Sequence, residues 1–363
     1  MSKKMKKIFL NLLLLAFLPM LSLFGQKDTT GIQNLKAKSL KDGFSLFGSD
    51  ELLEITLRFD LTTFLKKNLK EGSLDADLTF HLSETDSLTR KIKVKNRGNY
   101  RFENCDFPPM ELNFKKAVHA YPDSGNIKKL KLVTHCQTGS VKSEYVLREY
   151  LVYKMFNLLT DTSFRVRLLR ITYIDTRKSR KPVTQYGFFI EPIGILAGRT
   201  NSTILKATNL TQKHIVPDVM DRISIFNYMV ANWDWTVPLQ HNVAITKPMV
   251  FDNSGLAIAI PYDFDLTGVV NVAYAVTPPE YNLNSIRDRI FLGICRSREV
   301  FQDELKYFLS RKDDFYRVIN DFPYLSEKSK KDITDFLDEF FKIEKQKDFD
   351  NLIDYLLRAC KNL

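Results

Sequence analysis

The chain has 363 residues, 44% hydrophobic and 12% aromatic, enough apolar material for one large domain or two lobes. Charged residues make up 27%, which excludes a disordered composition. The formal net charge is +11, but no basic tail or aromatic–basic repeat accompanies it, so nucleic acid is not the expected partner.

Residues 1–25 read as an export signal. Lys3, Lys4, Lys6 and Lys7 form a basic start, Ile8 to Phe24 an apolar run broken by Pro19, and Leu-Ser-Leu-Phe-Gly a cleavage site before Gln26. The run is short for a spanning helix, so cleavage is expected rather than an uncleaved anchor. The mature protein is then periplasmic, secreted or on the cell surface, and meets the membrane only through its signal. Without these residues 50 basic side chains face 43 acidic ones, a surplus of +7. Such a surplus suits an anionic ligand such as a nucleotide, and equally a solvated basic surface. The four cysteines match no zinc spacing. In an exported chain Cys105 invites pairing with Cys136 and Cys295 with Cys360, one of three pairings; four buried thiols are the alternative.

Residues 26–50 are polar, a tether or irregular lead-in. From Glu51 the pattern alternates: Ile55, Leu57, Phe59 and Leu61, then Leu74 to Leu82, then Ile92 and Val94 between lysines. This period of two predicts half-buried antiparallel strands. Asn96 to Arg101 reads as a turn. Met110–Phe114 and Lys129–Val133 are further strands, joined through a turn at Pro122–Gly125. Ser140 to Leu159 has helical spacing, with Ser140 or Ser143 as cap. Leu168–Asp175 and Gln185–Glu191 read as strands. Pro217–Trp233 reads as a helix. Val243–Ile245, Met249–Asp252 and Leu256–Ile260 read as short strands. Ser285 to Leu363 reads as helical almost throughout, broken near Pro323 and Ser326. The expected fold is α+β and two-lobed: a sheet-rich lobe at 51–192 carrying one main helix, and a helical lobe at 193–363 with the functional loops.

Three acid or amide clusters carry the chemistry. Asp234 lies in a loop flanked by Trp233 and Trp235, the only tryptophans in the chain. His241 and Asn242 follow just before a strand. Asp263 and Asp265 end an apolar strand on one side of an extended chain, a bite suited to Mg²⁺, and Gly268 permits the turn after them. Each also has a plainer reading: a buried turn-capping Asp, a structural His, a solvated strand end.

In order along the chain, five pieces carry a resemblance. These are Arg97-Gly98-Asn99; Lys129-Leu130-Lys131-Leu132 with Val146-Leu147-Arg148-Glu149; Tyr186 to Glu191; Asn232-Trp233-Asp234 with His241-Asn242; and Tyr262-Asp263-Phe264-Asp265. Together they resemble the CotH family of secreted, kinase-like proteins. The resemblance implies a distant protein-kinase-like fold, ATP with Mg²⁺ or Mn²⁺, and phosphorylation of hydroxyls on an acceptor protein that the sequence does not name. It makes Asp234 the catalytic base, Asn242 and Asp263 metal ligands, and Asp265 a second metal or phosphate-side acid. Glu191 is placed near the nucleotide between lobes. Glu149 is expected to pair with a phosphate-binding lysine, Lys131 first and Lys115 second. Arg97 is a bidentate phosphate donor. His241, Trp233 and Trp235 brace the loop.

Two departures stand out: no Gly-rich phosphate loop is present, and Asn242 lies eight residues after Asp234 instead of five. They leave open a catalytically weak module for binding or surface assembly. A metal-dependent hydrolase on the same acids needs a second metal centre, for which no His/Asp cluster is seen.

Overall fold

A computed structural model describes residues 44–66, 72–98, 100–119, 126–137, 142–249 and 255–360. The expected export signal, most of the lead-in, Asn99, the expected turn at Pro122–Gly125, the cap candidate Ser140 and residues 250–254 lie outside them. From Ser45 onward the chain is one compact unit.

The alternating segments do form strands. They are β1 (Leu53–Phe59), β2 (Leu74–His81), β3 (Ser87–Asn96), β4 (Met110–His119), β5 (Asn126–Thr134), β6 (Val166–Asp175) and β7 (Val183–Ile190). Their buried side chains fill one side of the sheet, as in β1, where Leu53, Ile55, Leu57 and Phe59 are all buried. The two-lobed kinase-like plan expected from the sequence is overturned here. These seven strands close into a barrel in the order β1-β2-β3-β4-β5-β7-β6. Closure comes from β1, which pairs antiparallel with β2 on one side and parallel with β6 on the other. A strand paired on both sides leaves no sheet edge. Only the α+β character of the expectation stands.

The rest packs on this barrel. Short helices α1 (Leu61–Leu65) and α2 (Tyr100–Asn104) follow β1 and β3. Leu61 therefore opens a helix instead of extending β1. Asp60 is the cause, its carboxylate capping the Thr63 N–H at 2.9 Å. The main helix α3 (Tyr145–Asn157) starts after a 3₁₀ turn at Lys142–Glu144, and Glu144 stands at its N-cap without a side-chain cap bond. Helix α4 (Ile193–Arg199) and strand β8 (Ser202–Ile204) carried no sequence signal. After α5 (Pro217–Met229), strands β9 (Val243–Pro248) and β10 (Ile258–Pro261) complete a small sheet ordered β10-β9-β8. Met249 stands outside any strand.

Residues 285–297 are irregular, contrary to the helical expectation. Helices α6 (Arg298–Ser310), α7 (Lys312–Asn320), α8 (Glu327–Phe341) and α9 (Gln346–Ala359) follow, with the expected break between α7 and α8. One hydrophobic core runs from the barrel strands through α3 and α5 into these last helices. The end of the lead-in also joins the structure: Leu46 and Phe47 are buried, and the Leu46 N–H donates to the His119 carbonyl at 3.1 Å.

The invited cysteine pairing is the one found. Cys105 is bonded to Cys136, and Cys295 to Cys360. The first ties the residue after α2 to the residue two beyond β5, and the second ties the loop before α6 to the end of α9. Such bonds belong to an oxidising compartment. Among the described residues no helix is long and apolar enough to cross a membrane.

Gly187 in β7 shows why a strand here tolerates glycine. A Cβ at this position would lie 2.7 Å from the Val133 carbonyl oxygen and 2.7 Å from Ile171 Cδ1. Backbone cannot yield to it, so Gly187→Ala is expected to destabilise the barrel by about 1–3 kcal/mol, read as a lowered urea midpoint at unchanged slope. An unchanged midpoint would show that the strands shift freely.

Candidate active site

The site is assembled from one loop, one strand end and two helices. Helix α5 ends at Met229, and Ala231 turns the chain with φ 51°. Asn232 then anchors the loop. Its N–H donates to the Asn227 carbonyl at 2.7 Å, and its Oδ1 accepts from the Asp234 N–H at 3.0 Å. Trp233 and Trp235 are both buried, so the bracing role expected of them fits the packing.

Asp234 is then gripped from the far side of the loop. Thr236 and His241 exchange two backbone hydrogen bonds of 3.0 Å, closing the loop on itself. This brings His241 Nε2 to 2.8 Å from Asp234 Oδ1. The Asn242 amide nitrogen donates to the Asp234 carbonyl at 2.8 Å and to Oδ2 at 2.9 Å. The eight-residue spacing is therefore spanned by a hairpin-like loop. Because its nitrogen is committed to Asp234, Asn242 is left with its amide oxygen for a cation.

The second acidic cluster arrives on the end of β10. Asp263 has φ 63°, and its N–H donates to the Tyr153 hydroxyl of α3 at 2.8 Å. Phe264 is fully buried, its ring 4.8 Å from that of Tyr153. An anchored Phe264 turns Asp263 and Asp265 into the same cavity. Gly268 is needed for close approach more than for the turn: its φ is not positive, and a Cβ there would lie 2.8 Å from Ala231 Cβ and 2.9 Å from Phe336.

Asp234, Asn242, Asp263 and Asp265 line one cavity of about 250 Å³, with Arg97 and Arg101 opposite. Burial, then the neighbouring charge of Asp263, with that of Asp234 after it, pushes the Asp265 carboxyl up to about 7, against the opposing pull of Arg101. A carboxyl held this high gives up its proton more readily when a further cation is brought beside it.

The partner of Glu149 differs from the expectation. Glu149, buried in α3, pairs with Arg101 of α2 at 3.3 Å, not with a lysine. Arg101 also donates to the Thr134 carbonyl at 2.8 Å and stands 3.9 Å from Asp265. Burial works against its charge, but Tyr274, Glu149, Asp265 and Asp263 around it raise its pKa. Lys115 is on the barrel's outer face, 3.4 Å from Asp75, and lines neither cavity of the site. Lys131 sits over the Tyr262 ring, 4.9 Å from its centre. In the sequence Arg101 stands only as the end of a turn. No periodic signal in the sequence marks it, since the helix that carries it is only five residues long.

A second cavity, of about 360 Å³, adjoins the first. Gln240 and Val243 line it where His241 and Asn242 line the acidic one, and Tyr262 lines it where Asp263 lines the other. Its walls are mainly apolar, including Leu130, Phe164, Ile190, Leu205 and Ile245, with Lys131 and Glu191 at the edge. Glu191 is clamped by Arg199, through bonds of 3.1 and 3.0 Å, and accepts from the Arg165 N–H at 3.1 Å. It is a fixed wall of this cavity.

No protein-family model matches the chain, and no curated protein matches it either. The functional reading therefore rests on the geometry of these two cavities.

A divalent cation fits the donor set. Hard oxygen donors from Asp263, Asp265 and Asn242 line one cavity, the donor chemistry of Mg²⁺ or Mn²⁺ sites. Among the described residues no three His, Cys, Asp or Glu side chains form a metal cage by themselves. Mg²⁺ commonly takes one or two carboxylates and completes its shell with water and substrate phosphates.

Proposed function

We propose that this chain is an exported phosphotransferase of the CotH type, moving the γ-phosphate of ATP to a protein hydroxyl with Mg²⁺ or Mn²⁺. One observation carries the reading: an apolar cavity sized for a nucleobase opens beside a cavity holding three carboxylates, an amide and two guanidinium groups. A nucleoside triphosphate has that polarity along its length.

In this reading Arg97 and Arg101 face the phosphate oxygens, and guanidinium forks match phosphate geometry. Asp263, Asp265 and the Asn242 oxygen hold the metal, which when bound neutralises charge on the phosphates. Asp234 takes the proton of the attacking hydroxyl, its two oxygens oriented by His241 and Asn242. Phosphoryl transfer asks mainly for such positioning and charge balance. Without a Gly-rich loop, the phosphate grip falls to the two arginines.

The leader at residues 1–25 and the two disulfides support a periplasmic, secreted or cell-surface location. A second reading, a catalytically weak binding or assembly module, is favoured by Asp234, whose carboxylate is already satisfied on both oxygens.

Binding is tested by thermal shift and calorimetry. ATP with Mg²⁺ or Mn²⁺ is expected to raise the melting temperature, by RT ln(1 + [L]/Kd), about 2.7 kcal/mol at a hundredfold excess over Kd. Chelation of the metal should remove most of that shift. No shift with any nucleoside triphosphate and either metal would end the phosphotransferase reading.

A further inference from the structure

The outer face of the barrel is charged in a way the transfer chemistry does not use. Strand register sets Lys93 and Lys95 of β3 against Asn113 and Glu111 of β4, and these against Lys129 and Lys131 of β5, while Lys91 of β3 and Lys115 of β4 lie further along the same strands. All six point outward, opposite to the buried Ile92, Val94, Leu112 and Leu130. Three acids share the face. Asp77 pairs with Lys91 at 2.6 Å, Asp75 with Lys93 at 3.7 Å and Lys115 at 3.4 Å, and Glu111 with Lys95 at 3.2 Å. Lysines outnumber acids two to one, and Lys116 and Lys128 add exposed charge where the β4–β5 register shifts. Exposed pairs of this kind bind weakly and exchange readily for another anion.

The face leads into the site. Lys129, Lys131 and Glu111 form one wall of the apolar cavity. Adjacent strands lie about 4.8 Å apart, so the lysines of β5, β4 and β3 extend roughly 10 Å from the cavity mouth.

We infer that this lysine face of β2 to β5 docks an acidic polypeptide segment and leads it to the cleft, so that the acceptor is a protein rich in Asp or Glu. The chemistry favours this occupant over two others. None of the outward positions on these strands is Phe, Tyr or Trp, the side chains that stack single-stranded bases. None of the exposed large apolar residues among those described, Ile204, Leu239, Met249 and Val276, lies on these strands, so the strands themselves offer no large apolar side chain to a bilayer.

The probe is fluorescein-labelled poly-L-glutamate, read by anisotropy with the purified protein and no nucleotide. Measured so, binding stands or falls apart from phosphate transfer; that the bound segment is also the acceptor rests on the proposed reaction. Wild type is expected to bind and to lose affinity as salt rises. Lys93→Glu with Lys115→Glu should weaken binding at least tenfold, and Lys306→Glu with Lys328→Glu, on the helical side, should change it less than twofold. Should the first pair fail to fold, Lys116→Glu with Lys128→Glu replaces it with the same expectation. Absence of binding, equal loss in the control pair, or tighter binding to oligo-dT or phosphatidylserine vesicles than to poly-L-glutamate would each overturn the inference. If transfer fails while the charge-dependent binding holds, the docking face stands and the phosphotransferase reading does not.

Discussion

Asp234→Asn is expected to lower phosphate transfer by about 10²–10⁴-fold, the usual worth of a positioned general base. The reasoning starts from the loop. Asp234 Oδ1 lies 2.8 Å from His241 Nε2, and Oδ2 accepts from the Asn242 amide at 2.9 Å. Asn at this position keeps the volume and one acceptor oxygen, so the loop retains most of its contacts. What it loses is the ability to take a proton. Its NH₂ group also faces a donor on one side or the other, a mismatch that costs local order but not the fold. In the proposed reading metal and nucleotide fall to other groups, Asp263, Asp265 and the arginines. The loss should therefore fall on kcat, with the calorimetric affinity for ATP and metal within about threefold of wild type. Transfer to a generic acceptor, or to the protein itself, provides the assay. Unchanged transfer in the Asn variant would remove Asp234 from the role of base.

Arg101→Met should produce the largest stability effect, about 3–5 kcal/mol at neutral pH, as expected when one partner of a buried ion pair is deleted. Met fills much of the same volume, so the loss reports charge more than packing. Glu149 is 1% exposed and Asp265 10%, and both lose their cation, as the Thr134 carbonyl loses its donor. The deficit should depend on pH with a definite sign. Burial, the largest cause in each case, raises both carboxyls above their ordinary range, Asp265 to about 7 even with Arg101 present. A carboxyl with a raised folded pKa binds protons more readily in the folded state than in the unfolded one. Stability then increases as pH falls from the folded value toward the unfolded value near 4. Removing Arg101 raises both values further, so the deficit of the variant should be greatest above pH 7 and shrink toward pH 5. Urea unfolding at pH 7.5 and pH 5 measures it. A deficit of equal size at both values would mean that packing, not charge, is what Arg101 supplies.

Much of this arrangement was legible in the sequence because it rests on local patterns. Alternation from Ile55 to Val94 marked the first barrel strands, since each has one buried side and one wet side. The order of acids from Asp234 to Asp265 marked the site, because a loop between two rings and a strand end have recognisable composition. Closure of the barrel was not legible. It depends on β1 pairing in parallel with β6, more than a hundred residues later, and no local period encodes that choice. The partner of Glu149 was hidden for a related reason. Arg101 sits on a five-residue helix with too little length for a helical pattern, and only the packing of α2 against α3 shows where its guanidinium goes. Lys131 was chosen for Glu149 from its position along the chain, but it stands on the outward side of β5, over Tyr262.

The Cys105–Cys136 bond lies immediately past α2, and the Phe107 N–H donates to the Cys136 carbonyl at 3.1 Å. Arg101 reaches the Thr134 carbonyl two residues before Cys136. The bond thus fastens the helix that presents Arg101 to the strand end that receives it. A newly made chain in a reducing cytoplasm has thiols at both positions. In the reading proposed above, oxidation of this pair fixes Arg101 beside the acids of the candidate site.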